Sequence, residues 1–144
     1  MVGRLDRYRV VMATPFEDFE AEVSRYPTYE KIAKMMEQKG LKTFVPHKDI
    51  GKDWPSDKVY SVVIGQIIPH ADLVLADIGL RRDGIGSSAV GLMIQSASQC
   101  GILLAAFYEK GKRAKDVYPL AKEIEYKDES ELLQKLDQLT ETFH

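Results

Sequence analysis

The stretch ADLVLAD (residues 71–77), the turn DGIGSS (83–88) and the apolar run ILLAAFY (102–108) together decide the fold class. The two apolar runs are short and have few polar interruptions, which is typical of strands buried on both faces of a parallel sheet. The residues between them include apolar positions at helical spacing: Ala89, Val90, Met93, Ile94 and Ala97. Gly101 then stands where a helix-ending glycine belongs. The stretch therefore predicts a strand, a helix and a second strand.

The same alternation continues on both sides of this stretch. Further strands are predicted over residues 8–13, 41–45 and 121–125, and further helices over 26–40, 59–68 and 128–143. Residues 47–58 are polar and predict a loop that ends as the next helix opens. The sequence thus predicts a doubly wound, flavodoxin-like α/β fold, with a parallel sheet of four to five strands and helices on both faces. We expect one such domain over residues 1–144.

The composition excludes several classes of protein. Twenty Lys and Arg against 22 Asp and Glu leave a formal charge of −2. A protein that binds duplex nucleic acid usually has an overall positive charge, so this class is not expected. The only cysteine, Cys100, rules out an internal disulfide framework and a multi-cysteine zinc site, and we expect its side chain to be buried. No segment has the pattern of a signal peptide or of a membrane span. A cytoplasmic protein without a membrane partner is the expectation.

Metal and cofactor sites are not predicted. His47 and His70 lack the spacing and the companions of metal ligands, so a surface or packing role is expected for both. The pattern Gly84-x-Gly86-x-x-Ala89 matches a loose dinucleotide fingerprint, but it follows the third strand rather than the first. We therefore expect neither a metal nor a dinucleotide cofactor.

The turn before the helix at residue 88 is the most informative candidate site. Gly84 and Gly86 allow a close approach of the backbone to a ligand, and the following helix directs its free N–H groups to the same place. Ser87 and Ser88 add hydroxyl groups, so the turn favours a phosphate or a polyhydroxylated sugar. A purely structural helix entrance remains open, since glycine and serine are common there.

Other candidate residues follow from the rule that ligands bind outside the carboxyl ends of parallel strands. Ala13, Thr14 and Pro15 end the first strand, residues 46–49 (Pro-His-Lys-Asp) follow the second, and Asp77 ends the third. Asp72 begins the third strand and is kept as a second candidate carboxylate. Such a carboxylate orients a hydroxyl group or exchanges a proton, or else caps a helix or pairs with a neighbouring arginine.

The motifs ADLVLAD, DGIGSSAVG (83–91) and VVMATPF (10–16) resemble those of the nucleoside 2-deoxyribosyltransferases and the related deoxynucleoside monophosphate N-glycosidases. The resemblance covers residues 8–108. It implies a pocket for a nucleoside or nucleotide, with cleavage of the bond between nucleobase and deoxyribose. In that family a glutamate attacks the anomeric carbon, an aspartate handles the base and a tyrosine on the first strand steadies the glutamate.

This sequence departs from the family at the reactive positions. By the resemblance, Asp83 stands at an active-site aspartate, but Ala89 stands at the glutamate and Val11 at the tyrosine. Alanine cannot act as a nucleophile. Three acidic residues in the loop after the first strand are weak candidates for a relocated carboxylate: Glu17, Asp18 and Glu20.

Two functions therefore remain open at this stage. The first is a nucleoside- or nucleotide-binding protein without the family's glutamate-dependent reaction. The alternative is an N-glycosidase or deoxyribosyltransferase that acts on (deoxy)nucleosides or their monophosphates with a relocated carboxylate. The resemblance also implies a homodimer or larger assembly, and a plain dimerising scaffold is the third possibility. The basic loop over residues 110–115 is either solvated or able to reach a phosphate.

Overall fold

The structure, a computed structural model, describes residues 7–15, 23–79, 88–113 and 122–141. Its centre is a sheet of five strands: β1 (Val10–Ala13), β2 (Thr43–Phe44), β3 (Leu73–Asp77), β4 (Leu103–Glu109) and β5 (Lys122–Tyr126). Every neighbouring pair is parallel, and the strand order is β2-β1-β3-β4-β5. This is the doubly wound order of the flavodoxin-like fold, so the predicted fold class is confirmed.

Helices cover both faces of the sheet. They are α1 (Tyr26–Gln38), α2 (Pro46–Asp49), α3 (Ser56–Val59), α4 (Ser88–Gln99) and α5 (Glu129–Leu139). The chain continues from α3 as a π-helix over Tyr60–Ile67 and a 3-10 turn over Ile68–His70, and another 3-10 turn, Val23–Arg25, precedes α1.

The core on each face follows from the alternation of side chains along β1. Val10 and Met12 pack with residues of α1 and α5, whereas Val11 and Ala13 pack with residues of the π-helix and α4. Because neighbouring residues of a strand point to opposite faces, a strand that is apolar throughout is buried from both sides. The uninterrupted apolar runs of the sequence are explained in this way.

Three helix ends have the geometry of helix caps, including the end predicted at Gly101. Gly40 and Gly101 follow α1 and α4 with φ of +81° and +70°, the left-handed region in which glycine avoids the strain of a Cβ atom. At the start of α5, the Asp128 side chain accepts a hydrogen bond of 2.9 Å from the Glu131 N–H.

Two predictions are corrected. Part of the predicted polar loop over residues 47–58 is the short helix α2, because Pro46 suits a first helical turn and the Asp49 carboxylate accepts a 2.7 Å bond from the Val45 N–H. Cys100 is exposed rather than buried, because it lies just beyond the last residue of α4, where the chain turns at the surface. Within the described ranges, no helix is long and apolar enough to cross a membrane.

Candidate functional site

The candidate site lies where strand order reverses, at the carboxyl ends of β1 and β3. The chain leaves β1 toward β2 on one side and later returns to build β3 on the other side. Open α/β sheets bind ligands at this position because the connecting loops diverge there and leave a crevice. Ala13 pairs with Ala76 across the two strands, so Thr14 and Asp77 are the next residues along neighbouring strands.

The Asp77 carboxylate is the centre of a buried polar network. Asp77 is only 3% exposed. Its Oδ2 accepts a hydrogen bond of 2.5 Å from the Tyr29 hydroxyl group and pairs with Arg25 Nη1 at 2.8 Å, while its Oδ1 accepts a bond of 2.9 Å from the Gly79 N–H. Two donors from the start of α1 and its preceding turn, and one from the backbone just after β3, therefore fix the carboxylate at the end of β3. Buried charges are retained in proteins when they are paired and hydrogen-bonded in this way.

Two tyrosines extend this network and stay protonated. Burial first, and the neighbouring Asp77 carboxylate second, raise the pKa of Tyr29 well above its ordinary value. The same causes, partly offset by Arg25, raise the pKa of Tyr126 on β5 to about 12. The Tyr126 hydroxyl group also interacts with the Arg25 guanidinium group. Both phenols are thus hydrogen-bond donors at neutral pH rather than bases.

Gly79 leaves room for the close approach of the Arg25 guanidinium group. A Cβ atom at this position would lie 2.9 Å from Nη1 and 3.0 Å from Nη2 of Arg25, and 3.1 Å from Oδ1 of Asp77. Real Cβ atoms rarely come closer than about 3.0 Å to another heavy atom, so the first two distances would force a shift. The absence of a side chain therefore lets the guanidinium group reach the carboxylate.

A second group of polar residues borders the network at the end of β2. The imidazole ring of His47 stacks on the ring of Tyr26 with centroids 3.9 Å apart, and it lies 6.2 Å from the ring of Tyr29. The Glu30 carboxylate is 3.8 Å from its Nε2 atom, too far for a hydrogen bond. Burial lowers the pKa of His47, although Glu30 works in the opposite direction. The imidazole is therefore neutral at pH 7.

The structure brings some of the predicted site residues together and separates one. Ala13, Thr14 and Pro15 are buried at the end of β1, beside Asp77. Asp72 lies just before the amino end of β3, at the opposite edge of the sheet, and it pairs with Arg9 at 2.8 Å and with Arg7 at 3.2 Å. Burial alone would raise the pKa of Asp72, but the hydrogen bonds from the two arginines outweigh it and lower the pKa. We leave Asp72 out of the site.

Several predicted positions lie outside the described residues: Glu17, Asp18, Glu20, Asp83, Gly84, Gly86 and Ser87. Ser88 and Ala89 form the first turn of α4, whose side chains at these positions are not described. Val11 is fully buried within the core face covered by α4. The predictions for these positions as site residues remain predictions.

Three residues of the site escaped the sequence analysis: Arg25, Tyr29 and Tyr126. Tyr29 looked like one apolar position of a helix, and Tyr126 falls just beyond the predicted fifth strand. For Arg25 no local signal exists, because its partner Asp77 is 52 residues away along the chain. His47 lies in the segment 46–49 that the strand-end rule predicts, and the structure places it beside Tyr29.

The basic loop after β4 reaches the same edge of the sheet. Gly79 and Arg113 form an isolated antiparallel bridge, which ties this loop to the end of β3. The Arg113 side chain pairs with Glu123 at 2.6 Å, and Lys112 pairs with Glu109 at 3.2 Å. Across the described part of the chain, no cluster of three histidine, cysteine or acidic residues has the arrangement of a metal site.

No protein-family model and no curated relative matches the chain, but solved structures do. The CMP N-glycosidase of Clostridium botulinum superimposes with a TM-score of 0.67 at 19% identity, over 91% of this chain and 98% of that one. The 2-deoxyribosyltransferase of Bacillus psychrosaccharolyticus gives 0.57 at 14% identity, over 88% and 94% of the two chains. The 2-deoxyribosyltransferase of Leishmania mexicana gives a TM-score of 0.56 at 17% identity, over 70% of this chain and 64% of that one. The chain therefore has the flavodoxin-like α/β fold of the CMP N-glycosidase and the 2-deoxyribosyltransferases.

Proposed function

We propose that the chain is a nucleoside- or nucleotide-binding protein of the nucleoside 2-deoxyribosyltransferase-like family. The observation that carries this proposal is the Asp77 network. A buried carboxylate with three hydrogen bonds stands at the switch point of the sheet, where this fold binds ligands, and Thr14 follows the neighbouring strand β1. The fold shared with a CMP N-glycosidase and the resemblance of the motifs at residues 10–16, 71–77 and 83–91 support a nucleoside as the ligand.

Binding without the family's glutamate-dependent reaction fits the residues better than turnover. The position that the resemblance assigns to the glutamate is Ala89, and the position of the tyrosine is Val11. Asp77 does not replace the missing nucleophile, because three donors already occupy its two oxygen atoms. A carboxylate that is held by an arginine and a phenol has weak nucleophilicity.

The alternative is an N-glycosidase or deoxyribosyltransferase in which Glu17, Asp18 or Glu20 supplies the carboxylate. The two functions differ in one measurable product. An enzyme releases free base from its substrate, whereas a binding protein only gains stability from the ligand.

The experiment incubates the protein with deoxycytidine, deoxycytidine monophosphate and CMP. Unfolding temperature and release of cytosine are measured in parallel. At a ligand concentration of about 100 times Kd, binding adds about 2.7 kcal/mol to the free energy of unfolding. We expect this stabilisation with at least one of the three compounds and no cytosine release. Release of cytosine would establish the alternative, and no response to any compound would refute both.

Two aspartate variants locate the site in the same assay. Asp77→Asn keeps the shape of the side chain but leaves Arg25 without its counter-ion, which changes the charge at the strand end that borders the ligand, so we expect stabilisation by the ligand to be lost. Asp72→Asn makes the same chemical change at the opposite edge of the sheet, where we expect ligand binding to be unchanged. Loss of ligand binding in Asp72→Asn but not in Asp77→Asn would place the site at the edge of the sheet that contains Asp72.

We further propose that the chain forms a homodimer or larger assembly in the cytoplasm. The two faces of the sheet differ in the charge of the helices that cover them. Helices α1 and α5 carry four charged residues each, whereas α4 and the π-helix carry no lysine, arginine, aspartate or glutamate. Tyr60, Gln66, Gln95 and Ser98 are exposed on the uncharged face. In a two-fold dimer each patch meets its own copy, so a patch without charges avoids repulsion.

The exposed, unpaired thiol of Cys100 suits a reducing compartment.

A further inference from the structure

Two buried polar side chains at the candidate site have no hydrogen-bond partner among the described residues. Thr14 is fully buried, and its hydroxyl group donates and accepts nothing. The side chain of His47 is 8% exposed, and neither of its ring nitrogen atoms has a partner within hydrogen-bonding distance. An unsatisfied polar atom in the interior costs stability, so buried groups of this kind are rare in folded proteins.

Two other buried threonines in the described part of the chain do have partners. The hydroxyl group of Thr43 on β2 donates to the carbonyl oxygen of Leu41 at 2.8 Å, and that of Thr140 after α5 donates to the carbonyl oxygen of Leu136 at 3.0 Å. The two unsatisfied groups are therefore a local feature and not a general property of this core. Both follow the carboxyl ends of neighbouring strands, β1 and β2.

The two residues border the Asp77 network on one side. Thr14 is next to Asp77 across the strand pair, and His47 lies beside Tyr29, whose hydroxyl group donates to Asp77. Three protein donors already take up three of the roughly four acceptor positions of the Asp77 carboxylate. The side chains at this edge that have no partner at all are uncharged groups, a hydroxyl and a neutral imidazole. Each of these offers one donor and at least one acceptor.

We propose that Thr14 and His47 form a neutral subsite that hydrogen-bonds to an uncharged part of the ligand, either a sugar hydroxyl group or the edge of a base. The inference rests on the proposed function, since it names which part of the nucleotide these residues hold. Both groups are shut off from solvent in this structure, so the side chains that cover them part when the ligand enters. Tyr26, which stacks on His47, is one of these side chains.

The experiment uses two variants and a matched control in the full chain. Thr14→Val replaces an unsatisfied hydroxyl group by a methyl group of similar shape, so it raises the unfolding temperature by about 3 °C or more. His47→Phe keeps the stacked ring but removes both nitrogen atoms. The control Thr43→Val removes a hydroxyl group that has a partner, so it lowers the unfolding temperature.

Binding of deoxycytidine monophosphate is then measured by calorimetry. Loss of one hydrogen bond to the ligand weakens affinity about 3- to 10-fold, which we expect for Thr14→Val and His47→Phe but not for Thr43→Val. A Thr14→Val protein that is more stable and yet binds more weakly supports the subsite. If Thr14 only packed in the core, a more stable variant would not lose affinity for the ligand.

Cytosine and 2-deoxyribose 5-phosphate separate the two sources of the uncharged group. A loss confined to cytosine assigns the subsite to the base, and a loss confined to the sugar phosphate assigns it to the sugar. Unchanged affinity of both variants for deoxycytidine monophosphate overturns the subsite but leaves the proposed function intact. A wild-type protein that binds none of the three probes overturns both.

Discussion

Removal of the Tyr29 hydroxyl group is the most direct test of the buried network. The substitution Tyr29→Phe keeps the ring within the core on the α1 side of the sheet and deletes only the donor to Asp77. Since Arg25 and the Gly79 N–H still hold the carboxylate, the charge is not left without partners. The loss is then one hydrogen bond to a charged acceptor, worth about 1.5–3 kcal/mol.

The expected change in unfolding temperature follows from the size of the chain. Unfolding entropy is about 2.1 cal/mol/K per residue near 60 °C, which gives roughly 0.3 kcal/mol/K for 144 residues. A destabilisation of about 2 kcal/mol therefore lowers the unfolding temperature by about 7 °C. Urea unfolding monitored by circular dichroism gives the same free energy independently.

The control is Tyr60→Phe, which deletes the hydroxyl group of a tyrosine that is 54% exposed. Its free energy of unfolding stays within about 0.5 kcal/mol of the wild type. Tyr29→Phe made in an Asp77→Asn background measures the coupling between the two side chains. A coupling energy below about 0.5 kcal/mol, or a Tyr29→Phe protein as stable as the control, would refute the network as the anchor of Asp77.

Three further predictions test the electrostatics, the packing and the proposed assembly. Because burial lowers the pKa of His47 in the folded state, the unfolded chain binds a proton that the folded chain does not. The contribution of the neutral imidazole to the free energy of unfolding is therefore fully present above about pH 6.5. It falls as the pH drops through that value, by up to about 1.4 kcal/mol per pH unit. In urea unfolding, the His47→Phe variant shows a correspondingly smaller decline. Gly79→Ala places a Cβ atom against Arg25 and destabilises the fold by about 1–3 kcal/mol in the same assay, and a neutral effect would contradict the close approach. Gln95→Lys puts a charge on the face covered by α4 and shifts light-scattering mass toward the monomer, whereas Gln38→Lys on α1 leaves the mass unchanged. Equal masses for the two variants would argue against this face as the interface.

Local patterns in the sequence were sufficient to predict the architecture. The apolar runs at residues 71–77 and 102–108 mark strands buried on both faces, and Gly40 and Gly101 mark helix ends, because both signals arise within a few residues of chain. The position of Asp77 at the ligand edge also followed, since it directly ends a strand. The π-helical stretch over Tyr60–Ile67 did not follow, because its β-branched residues are compatible with several conformations.

The partners of Asp77 depended on the tertiary structure. Arg25 and Tyr29 come from one segment before β2 and Tyr126 comes from β5, and only the β2-β1-β3-β4-β5 order brings both segments to the Asp77 carboxylate. By contrast, strand β3 itself places Asp72 at the opposite edge of the sheet, although Asp72 is only five residues from Asp77 and has the same side chain. A parallel strand separates its two ends by its whole length, so local sequence determines that a carboxylate stands at a strand end, and the strand order determines what surrounds it.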